Sequence, residues 1–387
     1  MVLYLGNLCL TEKSRIFIHK PLVAQRCMQV FRMYSYQILK IQIKNIYKTM
    51  KNNKGSFLIV ILIVLLINNL SAQNNKVNQI DSIMNKYYQN GTFNGNVLIS
   101  KNNKLIYNNS FGYSDETKTT KLTTDYRFNI GSITKEFSAV ALLKLQEQGK
   151  LNLDDKVSKF IPELPKWSNE VAIKDLLKYT SGIPDVNWKK IKNDKDLFED
   201  LKIIDSLDFI PGTNYDYNNN NIFLRHFIVE RVSGISYKEY VEKFIFKPCK
   251  MNSSLMTPFE NEQNIAKGFN SSLIRDKKDL PITGGIYITT IDLLKWANLL
   301  HSGKIINKKS LYEIGQRFNS EETQSALGNA TYKNQNLILH THHGRVGNYE
   351  ALLISDIDEK FTIVLLDNNY KGKIFEISEA IITILKK

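Results

Sequence analysis

Cysteine is almost missing from this sequence, with three residues in 387. Cys9 and Cys27 precede a strongly apolar stretch, so Cys249 stands alone beyond it. One cysteine cannot close an internal disulfide. Cys249 follows Pro248 and reads as packing. Acid is missing from the N-terminal region: residues 1–72 hold ten Lys/Arg and a single acid, Glu12. The formal charge of +14 therefore overstates the remainder, where 42 basic and 37 acidic residues leave about +5. No dense Lys/Arg block with interleaved aromatics occurs, so no nucleic-acid partner is expected. There is no H-E-x-x-H, no G-x-S-x-G, no internal repeat and no long low-complexity tract. The helical zinc-protease signature and the α/β-hydrolase nucleophile elbow are thereby excluded.

A hydrophobic run long enough for a comfortable membrane span is also lacking. The apolar run from Phe57 to Ile67 has eleven residues, against about 20 for a spanning helix. Lys51 and Lys54 precede it, and Leu70-Ser71-Ala72 follow. This is the pattern of a secretory signal peptide over 50–72, cut after Ala72. Translation is expected to start at Met50, since residues 1–49 form a preamble with no domain pattern. The alternative is an uncleaved signal that anchors the protein in the membrane. The expected location is periplasmic or extracellular. No cysteine sits at the cleavage point, so no lipid anchor is expected there.

What remains reads as globular, and the whole sequence has a hydrophobic fraction of 43%. The spacing predicts an amphipathic helix over 76–89, with Val77, Ile80, Ile83 and Met84 on one face. Two β-rich runs follow, joined at Lys101-Asn102-Asn103 as a hairpin. Residues 132–148 read as a helix apolar almost all round, hence buried, and stopped by Gly149. Helix signals dominate from 150 to about 310. From 336 three strands return, and a last helix covers 373–386. The simplest assembly is α+β. The late strands join the hairpin in one antiparallel sheet, and the terminal helices cover one face. The 132–148 helix lies under the other face, and the helical segment forms a second lobe. A cleft between lobes is a usual place for a site.

Three stretches could carry chemistry. In "FNIGSITKEF", Ser132 and Lys135 are three apart at a helix start and would share one face. The helix N-terminus and burial both disfavour a charged lysine there, so Lys135 could take a proton from Ser132. The plain alternative is a serine N-cap beside a solvated lysine. In "PGTNYDYNNNNIF", Tyr217 and Asn219 are two apart on a connecting segment. A phenol can relay a proton and an amide can hold a carbonyl, but an asparagine-rich capping segment would look the same. In "LHTHHGRVGNY", His340 and His342 share a strand face. A metal site is conceivable, yet no acid or cysteine is interleaved. Otherwise Gly344 lets backbone approach a substrate and offer amides to an oxyanion.

Together these stretches resemble, in order and rough spacing, the serine β-lactamase and penicillin-binding superfamily, near the class C enzymes, esterases and D-aminopeptidases. The flanking text matches too: "FNIGSITKEFSAVALLKLQEQGKLNLDDKVSKFIPELP", "IKDLLKYTSGIPD", "PGTNYDYNNNN" and "GGIYITTIDLLKWANLL". The resemblance covers residues 76–386. It implies a β-lactamase/transpeptidase-like fold with the active site between sheet and helical lobe. Ser132 would be the acylated nucleophile, Lys135 its proton partner, and Tyr217 the general base that later protonates the leaving group. Asn219, His342 and Gly344 would bind substrate, and the backbone amides of Ser132 and Arg345 would form the oxyanion hole. No metal or cofactor is implied. Arg345 stands where a small residue is usual and would narrow the cleft; Asn348 stands where glycine is common. His342 replaces a lysine that attracts carboxylates, which points to uncharged esters, amides or D-amino-acid peptides, cell-wall peptides among them, as substrates. A catalytically idle peptidoglycan-binding module and a true β-lactamase are the alternatives.

Overall fold

Asn102 and Asn103 turn the chain back with φ of 53° and 59°. A two-residue hairpin loop needs this left-handed pair, and asparagine tolerates it. The turn joins β1 (Gly95–Lys101) to β2 (Lys104–Phe111). The computed structural model describes residues 75–387 apart from 188–189, 259–261, 278–284 and 320–321. The preamble and the signal-like segment lie outside the described residues.

Two very short strands come next, β3 (Phe128–Asn129) and β4 (Leu255–Met256), followed by β5 (Ile286–Ile288). The late strands are β6 (Asn329–Lys333), β7 (Asn336–Val346), β8 (Tyr349–Asp356) and β9 (Phe361–Asp367). The main sheet has six strands in the order β2-β1-β9-β8-β7-β6, antiparallel throughout. The hairpin and the late strands therefore join as expected, with β6 as an addition. Its sequence, NATYK, is too short and too polar for alternation to reveal.

Both faces of the sheet are covered. On one, Val97, Ile99, Leu352 and Leu365 pack against Ile80 and Met84 of a helix over 75–89 and against Ile377 and Ile381 of the Ile374–Lys386 helix. Each such side chain contributes about 1.5–3 kcal/mol on burial. On the other, Leu98, Leu353, Val364 and Leu366 belong to a second core with Phe137 and Trp296. Here the arrangement differs from expectation. The helix lying directly on β1 and β9 is Thr290–His301. The central helix, Thr134–Glu147, packs behind it through the stacked Phe137 and Trp296 rings and contacts the Asn220–Ser233 helix on its other side.

The segment from 150 to 310 is not wholly helical. β4 and β5 pair with β3 in a three-stranded sheet of order β3-β5-β4. Strands of two or three residues carry no readable period. Two of the segment's helices start at side-chain caps: Thr289 accepts from the Asp292 amide and Ser236 from the Glu239 amide. Gly234 closes the Asn220–Ser233 helix at φ 75°.

Candidate active site

β3 delivers the chain to Gly131, whose φ is +51°. Residues Gly131–Ile133 form one 3-10 turn, and the central helix begins at Thr134. Ser132 thus sits in the tight turn, half-exposed, and Lys135 in the first α-helical turn, buried. Lys135 Nζ donates to Ser132 Oγ at 3.0 Å, and Tyr217 OH donates to the same oxygen at 2.9 Å. The ammonium also lies 5.1 Å from the Tyr217 ring. Burial pushes Lys135 down to about 8; Tyr179 opposes this and the Arg225 charge adds to it. Burial moves Tyr217 the other way, up, with the bond to Ser132 and the charge of Arg225 pulling back.

Two glycines allow β7 to reach this turn. A Cβ on Gly131 would stand 2.5 Å from Arg345 N, and one on Gly344 would stand 2.0 Å from Ile130 O and 2.9 Å from Ser132 N. Without side chains the Ser132 and Arg345 amides come to one place. β7 and β8 close at Val346 opposite Tyr349 over a two-residue loop, with Gly347 at φ 53°. The closing pair of such a hairpin exchanges hydrogen bonds, so Arg345, one step back, turns its N–H to the strand's outer edge. The pairing of β6 with β7 ends at Thr341, so that edge is open. The Arg345 side chain does not narrow the cleft. It lies over the Tyr370 ring at 3.7 Å, and strand alternation places it with His343 on the face opposite His342. The Asn348 amide N–H is held by Asp276 Oδ2 at 2.7 Å.

The asparagine run divides by role. Asn218 Nδ2 donates to Ile183 O and Asn220 Nδ2 to Pro184 O, each at 2.7 Å, and Asn221 Nδ2 to Asn218 Oδ1 at 2.9 Å. Asn219 occupies the N-cap position of the next helix without a side-chain capping bond. Its amide, half-buried, makes no hydrogen bond among the described residues.

The third stretch departs from expectation. His342 is buried, with Nδ1 2.6 Å from Glu136 Oε1. His340 Nε2 lies 3.0 Å from the same oxygen, and Trp296 Nε1 donates to Oε2 at 2.6 Å. His301 Nε2 then meets His340 Nδ1 at 2.9 Å. Burial pushes Glu136 up, but the hydrogen bonds and charge of the two histidines outweigh it and hold the carboxyl well below its ordinary range. Burial pushes His342 down against the pull of Glu136. An ionised Glu136 only accepts, so His342 gives it the Nδ1 proton and, when neutral, keeps a lone pair on Nε2. Any substrate contact of His342 must use that second nitrogen.

Glu136, His340 and His342 hold ligand-type atoms within 4.8 Å of one another, a set that could bind a metal. However, both ring nitrogens aim at one carboxylate oxygen, at 2.6 and 3.0 Å. A zinc ion about 2.0–2.1 Å from either nitrogen along its N···O line would fall within about 1 Å of that oxygen. Trp296 keeps the carboxylate from retreating. The cluster is a hydrogen-bonded network. Sequence reading missed Glu136, Trp296, His301, Tyr179 and Arg225. A separate cavity of about 450 Å³, lined by Tyr88, Tyr113, Phe269 and Lys371, shares no residue with the serine cluster.

Comparison with known proteins places these features. A family model described as Beta-lactamase matches residues 80–377. "Penicillin-binding protein 4*" of Bacillus subtilis (strain 168) is 27% identical over 340 residues, covering 78% of this chain and 74% of its own. "Protein flp" of Staphylococcus aureus (strain MRSA252) is 28% identical over 319 residues, covering 76% of this chain and 63% of its own, so the match spans less than two thirds of that relative. Among solved structures, a class C β-lactamase superimposes with a TM-score of 0.70 at 21% identity, over 80% of this chain and 96% of its own. A D-amino acid amidase from Ochrobactrum anthropi SV3 gives 0.68 at 21%, over 81% and 98%. The fold is therefore β-lactamase/transpeptidase-like.

Proposed function

This chain belongs to the beta-lactamase family of serine hydrolases and penicillin-binding-protein-like proteins, and from that premise we propose an exported acyl-enzyme hydrolase of uncharged esters, amides or D-amino-acid peptides. The observation that carries the reading is one hydroxyl, Ser132 Oγ, held by both Lys135 and Tyr217 at 3.0 and 2.9 Å. Of the two, Lys135 is the one moved toward neutrality, to about 8. Neutral Lys135, in place of the Tyr217 that the resemblance implies as general base, takes the Ser132 proton as Oγ attacks the substrate carbonyl, since burial pushes the phenol up and the lysine down. The Ser132 and Arg345 amides receive the oxyanion. The bond to the leaving group then breaks, and Tyr217 supplies its proton and is reprotonated from Lys135. Water repeats the sequence on the acyl-enzyme, so Ser132 regains its proton. Asn219 offers its free amide to the acyl side of the substrate.

The substrate class follows from charge. No lysine stands at position 342, and the histidine there is buried and pushed toward its neutral form. Losing a charge-assisted contact to a carboxylate costs about 1.5–3 kcal/mol. The amidase relative, which shares the fold, makes D-amino-acid amides a natural first panel, with cell-wall peptides beside them. Export is supported by the pattern at 50–72.

The test is labelling of the purified protein with a fluorophosphonate, followed by kcat/KM for a p-nitrophenyl butyrate-type ester and a chromogenic cephalosporin. An adduct on Ser132 with the ester favoured is expected. No adduct would leave an idle peptidoglycan-binding module, and a cephalosporin value far above the ester value would make this a true β-lactamase.

A further inference from the structure

Arg225 lies in the middle of the Asn220–Ser233 helix and is fully buried. No carboxylate pairs with it among the described residues. Its Nε donates to Leu176 O at 3.1 Å, Nη2 donates to the same carbonyl, and Nη1 has no partner. The guanidinium lies 4.8 Å from the centre of the Tyr179 ring, and that ring lies 4.8 Å from the ring of Tyr217. Tyr179 itself has φ of +58°, a left-handed conformation that a bulky residue rarely adopts. A buried cation without a counter-ion and a strained aromatic residue thus stand in line behind the tyrosine that touches Ser132.

We propose that Arg225, through Tyr179, is a positioning residue for the serine's proton transfers: the guanidinium and the Tyr179 ring stacked on it back Tyr217 against Ser132, beside the buried Lys135. The proposal rests on the acyl-enzyme reading above. Packing supplies the geometry, and electrostatics agree, since the Arg225 charge lowers both Lys135 and Tyr217. The other titratable groups around Lys135 are Tyr179, Tyr217, His226 and His342. Glu136, next in sequence, is turned to the two histidines of β7. A plainer role is available: Arg225 caps the C-terminal end of the Ile173–Lys178 helix through Leu176 O. The two roles differ in what the charge does.

Arg225→Gln keeps a donor for Leu176 O and removes the charge; Arg225→Met removes both; Arg225→Lys keeps the charge. Two readouts apply to the full chain. One is the titration of Lys135 by its 13Cε shift, assigned by its loss in Lys135→Arg. The other is the pH profile of fluorophosphonate labelling at Ser132. Removing a nearby positive charge favours protonated lysine, so the neutral variants should raise the Lys135 midpoint by about one pH unit. Their labelling rate at pH 7 should fall about tenfold, with the acid limb displaced by the same interval. Arg225→Lys should return both to near wild type. A folded neutral variant with unchanged midpoint and limb would leave Arg225 a helix cap and overturn the proposal. If neither neutral variant folds, Tyr179→Leu decides, since it removes the ring between Arg225 and Tyr217: a several-fold fall in Ser132 labelling at pH 7 supports the proposal, and an unchanged rate overturns it. A wild type that is never labelled sinks the acyl-enzyme reading instead, while the lysine titration still reads the charge effect.

Discussion

His342 Nδ1 and Glu136 Oε1 meet at 2.6 Å inside the protein, joining the strand that borders the active site to the helix that carries its lysine. The contact fixes which ring nitrogen of His342 faces inward. It also ties β7 to the turn holding Ser132, because Gly344 follows two residues later against the Ile130 carbonyl.

Removing the carboxylate should therefore cost stability first. Glu136→Ala leaves the donors of Trp296, His340 and His342 without their acceptor. Each buried orphan costs about 1–3 kcal/mol. The total of roughly 3 kcal/mol or more corresponds to a fall in Tm of about 4–5 °C or more for a domain of this size. Glu136→Gln, which keeps an acceptor, should lose less. Thermal unfolding of the two variants beside wild type checks this; equal melting of wild type and Glu136→Ala would mean the network contributes nothing.

The catalytic pair predicts the pH dependence of activity. Lys135 is pushed down to about 8 and acts in its neutral form. Below that pH, kcat/KM should fall about tenfold per unit as the lysine takes up a proton, and it should level off above. Ser132→Ala should reduce activity to background, and Lys135→Ala should cost on the order of 10³ or more, since the two act as a unit. A flat profile between pH 6 and 8, with a Lys135→Ala enzyme near wild type, would remove the lysine from the mechanism.

How much of this was legible in the sequence depends on distance along the chain. Ser132 and Lys135 are three apart on a helix start, and helical geometry alone puts them together. The hairpin and the apolar run of β9 show their own periods. Glu136 had no such signal: its partners His340, His342 and Trp296 lie 204, 206 and 160 positions away. Arg225 was hidden for a different reason, because a charged residue within "IFLRHFIV" is ordinarily the exposed face of a helix. The direction of the Arg345 side chain was set by strand alternation relative to a register that only the folded sheet defines.

Acid should destabilise the fold before it protonates most carboxylates. His226 and His301 are each pushed down to about 3 by burial, His226 further by Arg225 and His301 by His340. Their ring nitrogens are held inside: His226 Nε2 is buried, and His301 Nε2 meets His340. His342 is lowered as well. Below the ordinary histidine value of about 6.5, the unfolded chain binds protons these rings refuse when folded, so stability falls with pH until the folded values are reached. Two such histidines give roughly 2.7 kcal/mol lost per pH unit between about 6 and 4. Urea midpoints measured across that range would show it, and a constant midpoint would mean the rings are protonated in the native state.

Export has its own check. N-terminal sequencing of extracytoplasmic protein should find Gln73 at or next to the mature start. A product that still carries residues 50–72 would instead be membrane-anchored.

The substitution His342→Lys separates two views of the third motif. From sequence alone, restoring a lysine at this position should draw a substrate carboxylate and raise cephalosporin hydrolysis about ten- to hundredfold. The structure argues otherwise. The residue at 342 points at Glu136, a carboxyl held in its ionised form, and a lysine there would meet that charge at hydrogen-bond distance. An ammonium so paired inside the protein has little reason to turn to a solvated ligand, because leaving Glu136 buried and unpaired would cost several kcal/mol. The expected result is less than a threefold change in the ratio of cephalosporin to ester kcat/KM at pH 7. The double variant Glu136→Gln/His342→Lys removes the competing charge and should show the larger gain. A tenfold rise from His342→Lys alone would show that position 342 reaches the substrate despite Glu136, and that the carboxylate preference of this site rests on a single residue.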